Sequence, residues 1–328
     1  VEWKLQLGQA DHGEGTLWIC FSDQVAILSV FVNGFLNFPS CSLYSNSTRL
    51  FAYQSRLPRT AMTSVQPHVK EAGQGPAVLC LHANASHAGQ WKGLMGLLAD
   101  RFQLLAVDSY GSGQTPDWHS ERTISLQDEV DLLMPVLDRM GEKFTLVGHS
   151  YGGAIALKIA LLFPHRVKAL ALFEPTFFSV VEHESPSPND VDGIRHAVAA
   201  AGAALDNGDP HLAAQHFIDF WMGQGSWAKT PEERKPAVAA SVRNVRRWGH
   251  ALFSEPTVLS SFGQLNVPVL YMVGGKSQLS AHAVAKRLVG TLPSVELIEF
   301  AQMGHMGPVT HPDVVNEAIS GFLQKVFS

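Results

Sequence analysis

From Val65 onward the sequence predicts an α/β fold: a mainly parallel, doubly wound sheet with a helical cap inserted late in it. Three observations predict this. Strands alternate with helices, and each strand is a continuous apolar run, the pattern of a sheet covered on both faces. The polar clusters fall at the carboxyl ends of those strands, where ligands of such sheets bind. One long helical stretch without strands, residues 176–262, interrupts the alternation late in the chain.

Taken in order, His68 to Glu71 reads as a short strand, closed by Gly73-Gln74-Gly75-Pro76. Ala77 to Leu81 is a buried strand, and His82-Ala83-Asn84-Ala85-Ser86 leaves its end. Gln90 to Leu98 is helical. Phe102 to Val107 is the next strand, followed by Asp108 and the loop Tyr110-Gly111-Ser112-Gly113-Gln114-Thr115-Pro116. Leu126 to Met140 is an amphipathic helix, with Pro135 as a candidate kink. Phe144 to Val147 and Val167 to Phe173 are apolar strands on either side of a helix that begins near Ala154. Then come three helices, Ile194 to Leu205, His211 to Met222 and Pro231 to Leu252. The sheet resumes at Val267 to Val273, then a helix from about Ala281 to Val289, a strand from Val295 to Phe300, and a last helix from Pro312 to Val326.

The bulk composition narrows the function classes. A chain of 328 residues suits one large domain or two small ones, and 46% hydrophobic residues allow a substantial core. A net charge of −5 with no basic face argues against nucleic acid as a partner. Cys20, Cys41 and Cys80 form neither an even framework nor a metal spacing, and Cys80 falls on a buried strand as an inert core residue. This suits a reducing compartment, and a cytoplasmic location is expected.

Residues 1–61 do not resemble the remainder. Leu17 to Phe38 is largely apolar but is interrupted by Asp23, Gln24, Asn33 and Gly34. It makes a poor membrane span, and it lacks the basic start and cleavage site of a secretory signal. No stable membrane association is expected of the core. Met62 is the first methionine, and a regular pattern starts immediately after it. The expectation is that residues 1–61 are an appended or upstream-translated extension, disordered or not native to the working fold, with an N-terminal anchor as the rival. Truncation at Met62 tests it, and loss of both solubility and activity would refute it. The tripeptides Asn46-Ser47-Thr48 and Asn84-Ala85-Ser86 match the glycosylation pattern, but nothing else speaks for secretion.

The chemistry centres on Gly148-His149-Ser150-Tyr151-Gly152. A G-x-S-x-G between an apolar strand and a helix is the form of a nucleophile elbow, a tight turn that lifts a hydroxyl out of the sheet. Ser150 would stand at the helix start, where the backbone N–H of Tyr151 can hold an oxyanion. A serine hydroxyl needs a base to take its proton. Among 15 histidines, His305 is chosen by location: it follows the last strand in the turn Met303-Gly304-His305-Met306-Gly307. His149, inside the elbow, points the wrong way for a base and reads as a packing residue. The imidazole needs an acid to fix its tautomer. The loop Gly274-Gly275-Lys276-Ser277-Gln278-Leu279 offers none, so Glu174, at the end of the preceding strand between Phe173 and Pro175, is the candidate. The backbone N–H of Asn84 is the candidate second oxyanion donor. The helical insertion is rich in aromatic residues. Most of them serve packing, and Phe177, Phe178, Trp221 and Trp248 are the candidates to line a pocket for an apolar substrate group.

Together these residues resemble the α/β-hydrolase family. The resemblance runs from about Val65 to the C-terminus. It rests on the elbow Gly148 to Gly153, on His82-Ala83-Asn84 in place of the family's His-Gly-x loop, on Asp108-Ser109-Tyr110-Gly111-Ser112-Gly113, and on Gly304-His305-Met306. It implies a core of residues 62–175 and 263–328 and a helical cap of residues 176–262, placed between the family's sixth and seventh sheet strands. Two departures stand out. Ala83 replaces the usual Gly, and Ser277 stands where the family most often has its acid. Some members carry the acid after the preceding strand, the position of Glu174. The implied function is a serine hydrolase that cleaves carboxylic esters, or related acyl compounds, through an acyl-enzyme.

Other readings remain open. A cofactor-free perhydrolase or haloperoxidase-like enzyme would share the Ser150–His305–Glu174 set, and a non-catalytic ligand-binding member would keep only the fold. Family members with an Asp nucleophile are disfavoured by Ser150. A dinucleotide site is disfavoured because Pro116 stands where G-x-G-x-x-G needs its third Gly. Neither metal nor organic cofactor is expected, and the expected partner is a small acyl substrate.

Overall fold

The computed structural model describes residues 65–328 throughout. Ahead of them it describes only three strands, β1 (Leu5–Gln9), β2 (Gly15–Phe21) and β3 (Gln24–Ser29), which form an antiparallel sheet in chain order. The chain divides into two compact units, Val1–Met62 and Thr63–Ser328. The expectation that residues 1–61 stand apart from the working fold otherwise lies outside the described residues.

The second unit is built on a seven-stranded sheet. Its strands are β4 (Val69–Ala72), β5 (Ala77–Leu81), β6 (Gln103–Val107), β7 (Phe144–His149), β8 (Val167–Phe173), β9 (Val269–Gly274) and β10 (Val295–Phe300). Their order across the sheet is β10-β9-β8-β7-β5-β6-β4, parallel throughout except for β4, which pairs antiparallel with β6. The helices are α1 (Lys92–Leu98), α2 (Leu126–Arg139), α3 (Tyr151–Leu162), α4 (Ser179–Glu184), α5 (Asp192–Asp206), α6 (Pro210–Met222), α7 (Lys235–Ser241), α8 (Val245–Phe253), α9 (Leu279–Thr291), α10 (Gly307–Thr310) and α11 (Pro312–Phe327). This is the doubly wound α/β architecture expected from the apolar runs.

The two-residue period of a strand sorts the core into two layers. On β5, Val78 and Cys80 face one side, where Trp91, Leu94, Val315, Ile319 and Phe322 from the α1 and α11 region cover them. Leu79 and Leu81 face the other side, with Val130, Leu133, Leu137, Ile155 and Ile159 from α2 and α3. Both faces are therefore dry, which is why all five residues of β5 are apolar and buried. Cys80 lies in the first layer, and burial pushes its thiol far above its ordinary range. Such a thiol carries no nucleophile.

α4 to α8 all fall between β8 and β9, which are neighbours in the sheet. The insertion thus follows the fifth of the seven strands, one place earlier than the family count, because among the described residues only five strands of this sheet precede it. Two details differ from the sequence pattern. α4 is a short additional helix directly after Phe178. The single helix expected from Pro231 to Leu252 is divided by a 3-10 turn at Val242–Asn244. Asn244 precedes α8 without capping it through its side chain, and its amide instead donates to Asp117 Oδ1 at 3.0 Å.

The register explains how distant residues meet. Leu81 pairs with Gly148, His149 with Phe173, Phe173 with Met272, and Gly274 with Phe300. The carboxyl ends of β5, β7, β8, β9 and β10 therefore lie along one edge. The loops carrying Asn84, Ser150, Glu174, Ser277 and His305 all leave from it.

Candidate active site

Ser150 occupies the sharp turn from β7 into α3, with φ 53° and ψ −116°. Side chains other than glycine rarely adopt positive φ, so the surrounding structure must hold the turn in place. Main-chain bonds do so: Ser150 N–H donates to Phe173 O at 3.0 Å, and Ser150 O accepts from Ala154 N–H at 3.0 Å and Thr176 N–H at 3.2 Å. The flanking glycines are required by close approach. A Cβ on Gly152 would stand 2.3 Å from Leu81 O, and one on Gly148 would stand 2.6 Å from Gly153 Cα.

Ser150, His305 and Glu174 form one hydrogen-bonded line. Ser150 Oγ lies 2.9 Å from His305 Nε2, and His305 Nδ1 lies 2.6 Å from Glu174 Oε2. An ionised carboxylate can only accept, so Nδ1 carries the proton and Nε2 is left as acceptor for the serine hydroxyl. All three side chains are buried. Glu174 also has positive φ, 44°, directly after β8. Its Oε1 accepts from Gly274 N–H at 2.7 Å and from Ser277 Oγ–H at 2.5 Å. Ser277, the residue at the family's more usual acid position, thus donates a hydrogen bond to the carboxylate supplied by the neighbouring strand.

The backbone amides of Asn84 and Tyr151 flank the serine and have no acceptor among the described residues. Ala83 N–H is occupied by Gln90 Oε1 at 3.1 Å, and Gly152 N–H donates to His82 O at 3.1 Å, which fastens the Asn84 loop to the elbow.

Sequence reading missed the support around this line. His149 is fully buried. Its Nε2–H donates to His305 O at 2.8 Å, and its Nδ1 accepts from Gln90 Nε2 at 3.1 Å. Burial, and then the neighbouring His305, hold His149 well below its ordinary pKa, so it stays neutral and its tautomer is fixed. Gln90 and His149 therefore tie the loop of Asn84 to the loop of His305. His82 is held below its ordinary pKa by burial, against the bond from Nδ1–H to Ala83 O, and its Nε2 accepts from Ser109 N–H. Asp108 accepts from Ala88 N–H at 2.6 Å and Gln114 N–H at 2.9 Å, anchoring two loops at the same edge. Glu129 on α2 is buried beneath the elbow, where it accepts from Tyr151 Oη–H at 3.1 Å and Tyr110 N–H at 3.3 Å. Burial raises its pKa to about 8, against those two bonds. No local pattern marks Gln90 or Glu129, since each matters only through a partner far along the chain.

Ser150 opens into a narrow cavity. Phe178, Trp221 and Trp248 line it, together with Ile194, Val198 and Phe217. Trp221 lies flat on His305, with ring centroids 3.8 Å apart and planes 22° apart. Phe177 does not line the cavity. It packs edge-on against Phe262 at 5.2 Å in the core. Among the described residues, no cluster of three or more His, Cys, Asp or Glu is placed to hold a metal ion, and no helix is long and apolar enough to cross a membrane.

A family model described as "alpha/beta hydrolase fold" matches residues 76–312, more than half of the chain. The chain belongs to the α/β-hydrolase family. This α/β hydrolase is 34% identical over 255 residues to a pimeloyl-[acyl-carrier protein] methyl ester esterase of Nitrosomonas europaea, covering 75% of this chain and 95% of that protein. It is 24% identical to a 2-hydroxy-6-oxo-6-(2'-aminophenyl)hexa-2,4-dienoic acid hydrolase of Metapseudomonas resinovorans, covering 80% and 88% of the two chains. Among solved structures, a thermophilic esterase from Thermogutta terrifontis shares the fold with a TM-score of 0.64 at 21% identity, covering 82% of this α/β hydrolase and 97% of that chain.

Proposed function

We propose that this α/β hydrolase cleaves carboxylic esters, or acyl compounds of similar shape, through an acyl-enzyme on Ser150. The observation that carries the reading is the line Ser150–His305–Glu174 at the elbow between β7 and α3. Similarity to proteins named as esterases supports it. In the first half-reaction His305 Nε2 takes the proton of Ser150 Oγ as that oxygen bonds to the acyl carbon. The negative charge on the former carbonyl oxygen is held by the N–H groups of Asn84 and Tyr151. Glu174 stabilises the imidazolium and keeps Nδ1 protonated. The C–O bond to the alcohol then breaks, and His305 gives the proton to the departing oxygen. Water repeats the cycle: His305 takes its proton, its oxygen attacks the acyl carbon, and Ser150 leaves as the hydroxyl with the proton returned by His305.

In this reading residues 62–175 and 263–328 are the catalytic core, residues 176–262 are its cap, and residues 1–61 are an appended segment outside the working fold. The cap supplies an apolar wall that excludes water and strengthens every charge interaction at the serine. The test is hydrolysis of p-nitrophenyl esters from acetate to decanoate. Ser150→Ala is expected to lower turnover by on the order of 10⁴-fold or more. Wild-type rates retained in Ser150→Ala would reject the acyl-enzyme. Absence of turnover in the wild type, with Ser150 inert to an organophosphonate, would favour a ligand-binding member of the fold.

A further inference from the structure

Resting on the esterase reading, we propose that Asn84 Oδ1 and Thr176 Oγ form a polar subsite for a hydroxyl on the acyl group, within two carbons of the scissile carbonyl. Both side chains line the same cavity as Ser150. Both atoms are shut off from solvent and have no hydrogen-bond partner among the described residues. A buried polar atom without a partner is costly and is rare in folded proteins. Two residues that carry such atoms line the same cavity as the nucleophile, and a ligand group bound there would complete them. Thr176 is held next to the serine, since its N–H donates to Ser150 O at 3.2 Å. Asn84 stands on the loop fastened to the elbow through Gly152 N–H and His82 O.

The chemistry selects the group. Asn84 Oδ1 needs a donor, which a keto oxygen or an ether cannot provide. An ammonium would enter a cavity whose lining residues include no charged side chain, and a charge buried without a counter-charge is strongly disfavoured. A neutral hydroxyl donates to Asn84 Oδ1 and accepts from Thr176 Oγ–H. It also satisfies the carboxamide in either of its two flipped orientations, because it can donate or accept. The rest of the lining, including Phe178, Ile194, Val198 and Leu252, is apolar. The favoured acyl group is therefore a short 2- or 3-hydroxyacyl chain with an apolar remainder.

The experiment compares kcat/KM for p-nitrophenyl butyrate, 2-hydroxybutyrate and 3-hydroxybutyrate in the wild type, Thr176→Val, Thr176→Ser and Asn84→Ala. Comparing the hydroxy-to-plain ratio between variants cancels the intrinsic reactivity of each ester. That ratio, for at least one hydroxy ester, is expected to fall by about 10–10²-fold in Thr176→Val and in Asn84→Ala, and to stay near the wild-type value in Thr176→Ser. Circular dichroism confirms that each variant is folded. A ratio unchanged in folded Thr176→Val overturns the subsite while leaving the esterase reading intact. No turnover of any of the three esters by the wild type, with Ser150 unlabelled by a phosphonate, overturns both.

Discussion

Glu174→Gln tests the reasoning most directly, because three donors converge on that carboxylate. Oε1 receives Gly274 N–H and Ser277 Oγ–H, and Oε2 receives His305 Nδ1–H. A carboxamide has one acceptor oxygen and cannot serve both sides. If its oxygen faces Gly274 and Ser277, its NH2 faces His305 Nδ1. The imidazole must then carry its proton on Nε2, and it can no longer accept from Ser150. If the amide is flipped, its NH2 meets the Gly274 N–H, and a buried donor loses its partner at a cost of about 1–3 kcal/mol. The working orientation is therefore the minor one, by roughly 5- to 150-fold. Loss of the negative charge that stabilises the imidazolium adds to this. The expected fall in kcat is about 10²–10⁴, or about 2.7–5.5 kcal/mol of barrier. The assay is p-nitrophenyl ester turnover by purified protein whose fold is checked by circular dichroism. A full wild-type rate in folded Glu174→Gln would refute Glu174 as the acid.

Ser277→Ala removes one of the two bonds to Glu174 Oε1 and leaves Gly274 N–H in place. It should lower kcat by roughly 3- to 10-fold, close to the worth of one hydrogen bond; a loss as large as that of Glu174→Gln would mean that Ser277 does more than hold the carboxylate. Glu129 has its folded pKa raised to about 8 from an ordinary 4.5. Between those values the unfolded chain has lost the proton and the folded chain keeps it, so the contribution of Glu129 to stability is full below about pH 4.5, falls as pH rises, and is gone above about pH 8. Glu129→Gln should abolish that slope and stabilise the protein by on the order of 3 kcal/mol at pH 7; parallel urea-melt stabilities of the two proteins across this pH range would contradict it. Gly152→Ala would force a Cβ to 2.3 Å from Leu81 O. Backbone must move to relieve that contact, so both thermal stability and Ser150 labelling should fall, and an unchanged melting temperature would show that the elbow is not tightly packed.

Much of this protein is legible in one dimension. Apolar runs reveal β5 to β9, because strands covered on both faces have no polar side to alternate with; the outermost strands β4 and β10 carry Lys70, Glu71, Glu296 and Glu299 and are partly exposed. The elbow is legible because a sharp strand-to-helix turn needs Gly148 and Gly152 around Ser150. His305 is legible from its place after the last strand. Periodicity is less informative where helices are short or broken, so α4 and the break before α8 appear only in three dimensions.

What the sequence alone determined, then, is the class of fold and the position of the strand-to-helix turn that carries Ser150, since both follow from patterns within a few residues. The rest was decided by tertiary structure. Glu174 lies 131 residues from His305, and they meet because β9 pairs with both β8, which precedes Glu174, and β10, which precedes His305. The β8–β9 pairing also places Ser277 against the carboxylate, the pairing of β5 with β7 brings Gln90 to His149, and the packing of α2 beside α3 sets Glu129 beneath Tyr151. It is the placement of α6 over the sheet edge that lays Trp221 on His305. Local sequence records where strands begin and end but not which strand pairs with which, and that pairing determines which side chains share a site.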